Sequence, residues 1–252
     1  MTATDPARTA PSVAAPAPNG RRRGRPPADA ASAVSEERVL HFAFESFADY
    51  GYEGTTVREL AKRLGVSHNL LNVRFGSKAD LWRRAVDWRV ARFGGPVFSV
   101  FDRLDLDPES RLRLLVQRFC GWAAENPSFI GISHAEGRRS TWRLDYLVAL
   151  YIQPFKHSLD ALFAQVLAIR PMRGISSSAF MAMLVQGVGF YFASGPMLDA
   201  LGVGEEAHPQ AIPQRVGDFA DTLLAGLLGP ASATATSTIP VTDRRAEAVP
   251  LI

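Results

Sequence analysis

The chain has 252 residues, 47% apolar and 21% charged, which suffices for a buried core and excludes both a wholly disordered chain and a disulfide-stapled mini-protein. Its 28 basic and 25 acidic side chains leave +3, and the excess lies in residues 1–35, with five basic and two acidic side chains, so a polyanion is the natural partner for that end. The single cysteine, Cys120, excludes an internal disulfide, a CxxC redox pair and a cysteine-rich zinc site, and fits a reducing compartment, the cytoplasm.

Residues 1–33 are rich in Pro, Ala and Arg and have no aromatic residue, so they are expected to form a disordered basic arm with no secretory signal. From there to residue 229 the apolar residues recur at helical spacing. Val39, Ala43 and Phe47 make the first stripe, ending at a Gly51 turn. Val57, Leu60, Ala61 and Leu64 follow, capped by Thr56 with Glu59 and closed by Gly65. Ser67 caps a short helix, His68 to Phe75, with Leu71 and Phe75 inward, and Ser77 with Asp80 caps a fourth that runs to about Phe93. Asp107-Pro108 and Asn126-Pro127 each open a further helix. A long helix is expected over about Thr141 to Ile169, kinked at Pro154, and then two more, roughly Ser176–Ala193 and Pro209–Leu228. The fold class is therefore all-α, with about nine helices. The longest apolar run, Ala179 to Ala193, contains Gln186 and two glycines and is too short to cross a membrane. Residues 230–252 have few large apolar groups and are expected to be a disordered tail.

The segment 56–75 has the dimensions of a helix-turn-helix, in which a first helix braces the second against the major groove. A plain helical hairpin has similar dimensions. The polar face of the second helix favours the DNA-binding reading: His68, Asn69, Asn72 and Arg74 carry the donors and acceptors that read base edges or hold phosphates. No acidic residue lies between Glu59 and Asp80, while Lys62, Arg63, Arg74 and Lys78 do.

The run TTVRELAKRLGVSHNLLNVRFGSKADL resembles the DNA-binding signature of the TetR-like (TetR/AcrR) transcriptional regulators. The resemblance is specific over 36–93 and looser to residue 229. It implies an N-terminal three-helix DNA-binding domain over 34–80 and a helical effector-binding and dimerisation domain over 81–229. It also implies that Thr56, Arg58 and Ser67 stand at the DNA, with His68, Asn69 and Leu70 at the leading end of the recognition helix and Arg74 and Lys78 on the phosphate backbone. Two positions depart from the family pattern. Asn72 replaces the usual tyrosine and is expected to read a base, and Leu70 replaces a small or hydroxyl residue, either meeting a thymine methyl or packing.

In the arm, Arg22, Arg23 and Arg25 within RRRGRP are similar to a minor-groove AT-hook; the alternative is a solvated basic tail. The resemblance implies a homodimer formed by the last two helices, with Phe180, Met183, Leu184, Gly187, Ile212, Val216, Phe219, Leu223 and Leu227 as candidate interface residues. Each stripe reads equally well as core. Trp122, Phe129, Trp142, Tyr146, Tyr151, Phe155 and Phe190, with His134, Gln186 and Glu136 as polar groups, are candidates for an effector pocket, against the plainer reading that they are core. No nucleophile elbow, phosphate loop, HExxH or clustered metal-ligand set occurs, so no enzyme, cofactor or metal is expected. The expected function is a DNA-binding regulator: a dimeric repressor on a palindromic double-stranded operator, released by a small hydrophobic effector, without a membrane. The alternative is a helical protein-interaction module, or an activator without small-molecule control.

Overall fold

A computed structural model describes residues 34–203 and 211–229, and they are helical with no strand among them. Eleven helices follow one another: α1 Glu36–Gly54, α2 Val57–Leu64, α3 His68–Phe75, α4 Lys78–Phe93, α5 Gly95–Phe98, α6 Pro108–Glu125, α7 Pro127–Glu136, α8 over 142–169, α9 over 177–193, α10 Gly195–Ala200 and α11 Ile212–Leu228. The side chains of Ser35, Thr56, Ser67, Ser77, Asp107, Thr141 and Ser176 each accept the backbone N–H three residues on, fixing seven helix starts. Each such cap is worth about 1 kcal/mol.

The first helix breaks at Gly51 as expected, where that residue takes φ 69° and ψ 172°, and a short helical piece continues to Gly54. Three features depart from the sequence expectation. Two short helices, α5 and α10, were not foreseen, because four to six residues carry too little periodicity. The disturbance expected at Pro154 takes the form of a π turn over Val148–Ile152 immediately ahead of it, which widens the helix where proline supplies no N–H. A second π segment, Met183–Gly189, lies within α9.

The apolar residues form two clusters. One joins α5, α6, α8, α9 and α11 around Leu112, Leu115, Val116, Leu159, Phe180 and Leu184. The other holds α1 to α4 together around Phe44, Leu60, Leu71, Phe75 and Trp82, and extends into α7 and α8 through Ile132 and Leu147. The first three helices and α4 therefore share their core with the body. Charged groups reinforce this seam: buried Arg143 of α8 pairs with Glu136 at 2.7 Å and with Glu53 of α1 at 3.6 Å, and Arg89 of α4 pairs with Glu45 of α1 at 3.5 Å. Such pairs matter mostly by what their loss would leave uncompensated in the interior.

The candidate interface set requires correction. Phe180, Leu184 and Leu227 are buried in the protomer's own core, where their large apolar side chains fill the space between α6, α9 and α11. Val216, Phe219 and Leu223 are half-buried against the same cluster, and Ile212 is half-buried. Only Met183 and Gly187 of that set are exposed.

Candidate nucleic-acid interface and effector cavity

The turn between α2 and α3 is built by local chemistry. Gly65 takes φ 70°, and the amides of Gly65 and Val66 return to Lys62 and Ala61, the hydrogen-bond pattern of a glycine C-cap. Ser67 then caps α3 by accepting Leu70 N–H at 3.1 Å. Leu60, Ala61 and Leu64 of α2 and Leu71 and Phe75 of α3 are buried together, so the outer face of α3 is fixed by what the inner face must cover.

On that outer face His68, Asn69 and Asn72 are exposed, and Leu70 is half-buried. Asn72 Nδ2 lies 3.3 Å from His68 Nδ1, so the two side chains hold each other one turn apart. Thr56, Arg58 and Ser67 are also exposed, with Thr56 Oγ1 occupied by the cap to Glu59.

Two expected backbone contacts are engaged inside the protein. Arg74 Nη1 donates to the Val34 carbonyl at 3.0 Å, and Arg74 Nη2 is 3.7 Å from Glu36, which ties the end of α3 to the start of α1. Lys78 Nζ sits 4.2 Å from the centre of the Tyr52 ring, a cation–π contact with α1. One residue of the face was missed. Val73 is 78% exposed, one turn beyond Asn69, and the only signal for it is that i, i+4 spacing. Arg22, Arg23 and Arg25 of the arm lie outside the described residues.

A cavity of about 260 Å³ lies among α4 to α9. Of the ten residues expected there, Trp122, Phe129, Tyr151, Phe155 and Gln186 line it; His134, Glu136, Trp142, Tyr146 and Phe190 do not. Trp142 and Tyr146 instead stand edge-on to Trp82 of α4, at 5.3 and 5.9 Å between ring centres, because that buried indole needs aromatic cover on its body side. His134 stacks on Phe190 at 4.7 Å and donates through Nδ1 to Gln186 Oε1, outside the wall. Of the lining residues the sequence did not supply, seven are branched aliphatics, Val90, Val97, Ile130, Leu144, Leu147, Ile152 and Val185, and two are aromatic, Phe98 and Phe119. Among the residues that line the cavity none is charged. Both π segments contribute to the wall, through Tyr151 and Ile152 in one and Val185 and Gln186 in the other. The Trp122 Nε1–H is buried without a hydrogen-bond partner.

Beyond the wall, Asp87 of α4 accepts the hydroxyl of Tyr146 at 2.7 Å and that of Tyr151 at 2.5 Å. Burial, then the hydrogen bond to Asp87, pushes the Tyr146 hydroxyl up to about 12, and the same causes in the same order raise Tyr151. Both phenols therefore stay protonated donors at neutral pH.

A capped, glycine-turned pair of short helices with a polar outer face, set on an all-α body, is the arrangement of a helix-turn-helix head, and sequence similarity assigns it to DNA binding. Residues 39–85 match the family described as bacterial regulatory proteins, tetR family. The HTH-type transcriptional regulator YezE of Bacillus subtilis (strain 168) is 46% identical over 67 residues, which are 27% of this chain and 33% of that protein, so the chain matches about a third of that relative's length. Among solved structures, the ketosteroid transcriptional regulator KstR2 of Mycobacterium tuberculosis superposes with a TM-score of 0.57 at 17% identity, over 77% of this chain and 95% of that one. FadR of Bacillus subtilis, solved in complex with stearoyl-CoA, gives 0.55 at 15% identity over 75% and 97%. Residues 39–85 thus carry the sequence of a TetR-family DNA-binding head, and the chain as a whole shares the fold of these solved regulators.

Proposed function

We propose that this protein is a transcriptional repressor that binds a palindromic operator as a homodimer and is released when a small, uncharged, largely apolar compound enters the cavity. The observation that carries the DNA-binding half is the exposed row His68, Asn69, Asn72 and Val73 on a helix whose other face is buried. Asparagine amides there match adenine N6/N7, and Val73 is of the size and polarity that meets a thymine methyl. The dimer contact then falls largely to the exposed side of α9, where Met183, Gly187 and Phe190 stand in line.

The effector half is supported by a chargeless cavity wall with few polar residues, Ser133 and Gln186 among them. The neighbour solved with stearoyl-CoA is consistent with a long apolar ligand in this fold. Release needs only that the ligand prefer the state that does not bind DNA.

The test is reciprocity. Prodan, an uncharged naphthalene ketone whose emission reports an apolar site, is titrated into the protein alone and into the protein saturated with a duplex it has selected from genomic fragments. Operator is expected to weaken prodan binding by about 5- to 150-fold, and prodan to weaken operator binding by the same factor. Equal affinity in both titrations would refute control through the cavity.

A further inference from the structure

Among the residues that line the cavity, Tyr151 is joined to α4 by a side-chain hydrogen bond. Tyr151 belongs to the π turn of α8, and its ring lines the cavity. The same ring packs against the cluster that holds α1 to α4 together, and its hydroxyl is bound by Asp87, midway along α4. Helix α4 begins two residues after α3 ends, and Arg84 of α4 donates to the carbonyl of Arg74, the next-to-last residue of α3. A displacement of Asp87 is therefore passed to α3 over a short, hydrogen-bonded path. Tyr146 donates to the same carboxylate, but its ring lies outside the cavity wall, on Trp82.

We propose that the Tyr151–Asp87 hydrogen bond is the coupling contact of this protein, through which occupancy of the cavity is transmitted to α4 and the DNA-binding head. This rests on the cavity's being the effector site. A ligand that fills the cavity displaces the Tyr151 ring. The wider π turn gives the ring room to move, since its backbone ladder is already irregular. The hydroxyl then leaves Asp87 or drags α4 with it. Tyr146 shares the anchor but does not sense the ligand. Tyr151 is thus a positioning residue for α4, and its removal uncouples the two sites without deleting either.

The experiment uses the full chain and a built-in occupant. Val185→Trp places an indole in the cavity from the α9 side, and affinity for the selected operator is compared across a double-mutant cycle with Tyr151→Phe. Val185→Trp is expected to weaken operator binding at least tenfold in the wild-type background and less than threefold in the Tyr151→Phe background. Tyr146→Phe, which removes the companion hydroxyl, is expected to leave the tenfold effect in place. A purely structural role for the cluster predicts the opposite, namely that both phenylalanine variants behave alike. If Val185→Trp does not fold, prodan replaces it. Saturating operator then weakens prodan binding at least fivefold in the wild type and less than twofold in Tyr151→Phe. An undiminished effect in Tyr151→Phe, with either occupant, overturns the coupling role while leaving the cavity as the effector site. No effect of Val185→Trp on operator affinity in the wild-type background, with the new indole shown to be buried by resistance to acrylamide quenching, overturns the cavity reading and the coupling role with it.

Discussion

Asn69, Asn72 and Val73 make the account of DNA reading specific. All three are exposed on one face of α3, and two of them carry the amide that pairs with a base edge in two directions. Replacing Asn69 or Asn72 by Ala is expected to cost about 1–3 kcal/mol on the preferred duplex and to relax discrimination at one base position, read by competition binding against single-base variants. Val73→Ala is expected to weaken preference for one T·A pair while leaving binding to other sequences unchanged. Arg74→Ala, by contrast, is expected to lower the melting temperature as well as DNA affinity, since this guanidinium holds the Val34 carbonyl and Glu36. The polar members of the face were legible in the sequence because Leu71 and Phe75, one turn apart, turn inward and leave His68, Asn69 and Asn72 outside. Val73 was not, because an apolar residue on a two-turn helix reads as core until the packing of its neighbours shows that it has nothing to cover.

Helices were legible where a cap and a long stripe agreed. Thr56, Ser67, Ser77 and Asp107 mark their starts in the sequence and accept the expected amides in the structure. What failed was the assignment of apolar stripes to core or to surface, since periodicity gives a face but not what lies against it. On α9 the stripe expected to pair with a second copy contains Phe180 and Leu184, both buried within one protomer, while Met183 beside them is 46% exposed. The two groups separate energetically. Phe180→Ala is expected to destabilise the protein by about 3–5 kcal/mol, the cost of a buried aromatic and the cavity it leaves. Met183→Ala is expected to change stability by under about 1 kcal/mol at protein concentrations too low for dimerisation. Chemical denaturation of both variants checks this, and comparable losses would contradict the separation. The cavity was half legible for a related reason. Aromatic density pointed to the right helices, yet Trp142 and Tyr146 are consumed by the seam with Trp82, and the aliphatic wall carried no signal that distinguished it from core.

In the molecule as a whole, the head and body share a core through α4, Ile132 and Leu147, so the exposed face of α3 is not hung on a loose linker. That continuity makes control at a distance physically reasonable: the cavity is bordered by Val90 near the end of α4 and by Tyr151, whose hydroxyl is held by Asp87 near the middle of that helix. A twofold dimer of such a unit must present two recognition helices to successive major grooves about 34–36 Å apart, and a small change in their separation loses one half-site. The claim on which everything else depends is that the outer face of α3 reads sequence. Selection of genomic DNA fragments by the purified full chain at physiological salt, alongside the Asn69→Ala/Asn72→Ala double variant, tests it most directly. The account predicts that the wild type enriches an inverted repeat with half-site centres about one helical turn apart or a multiple of it, and that the double variant, equally folded, fails to enrich it. Binding without sequence preference by the wild type, or enrichment of the same repeat by the double variant, would contradict it.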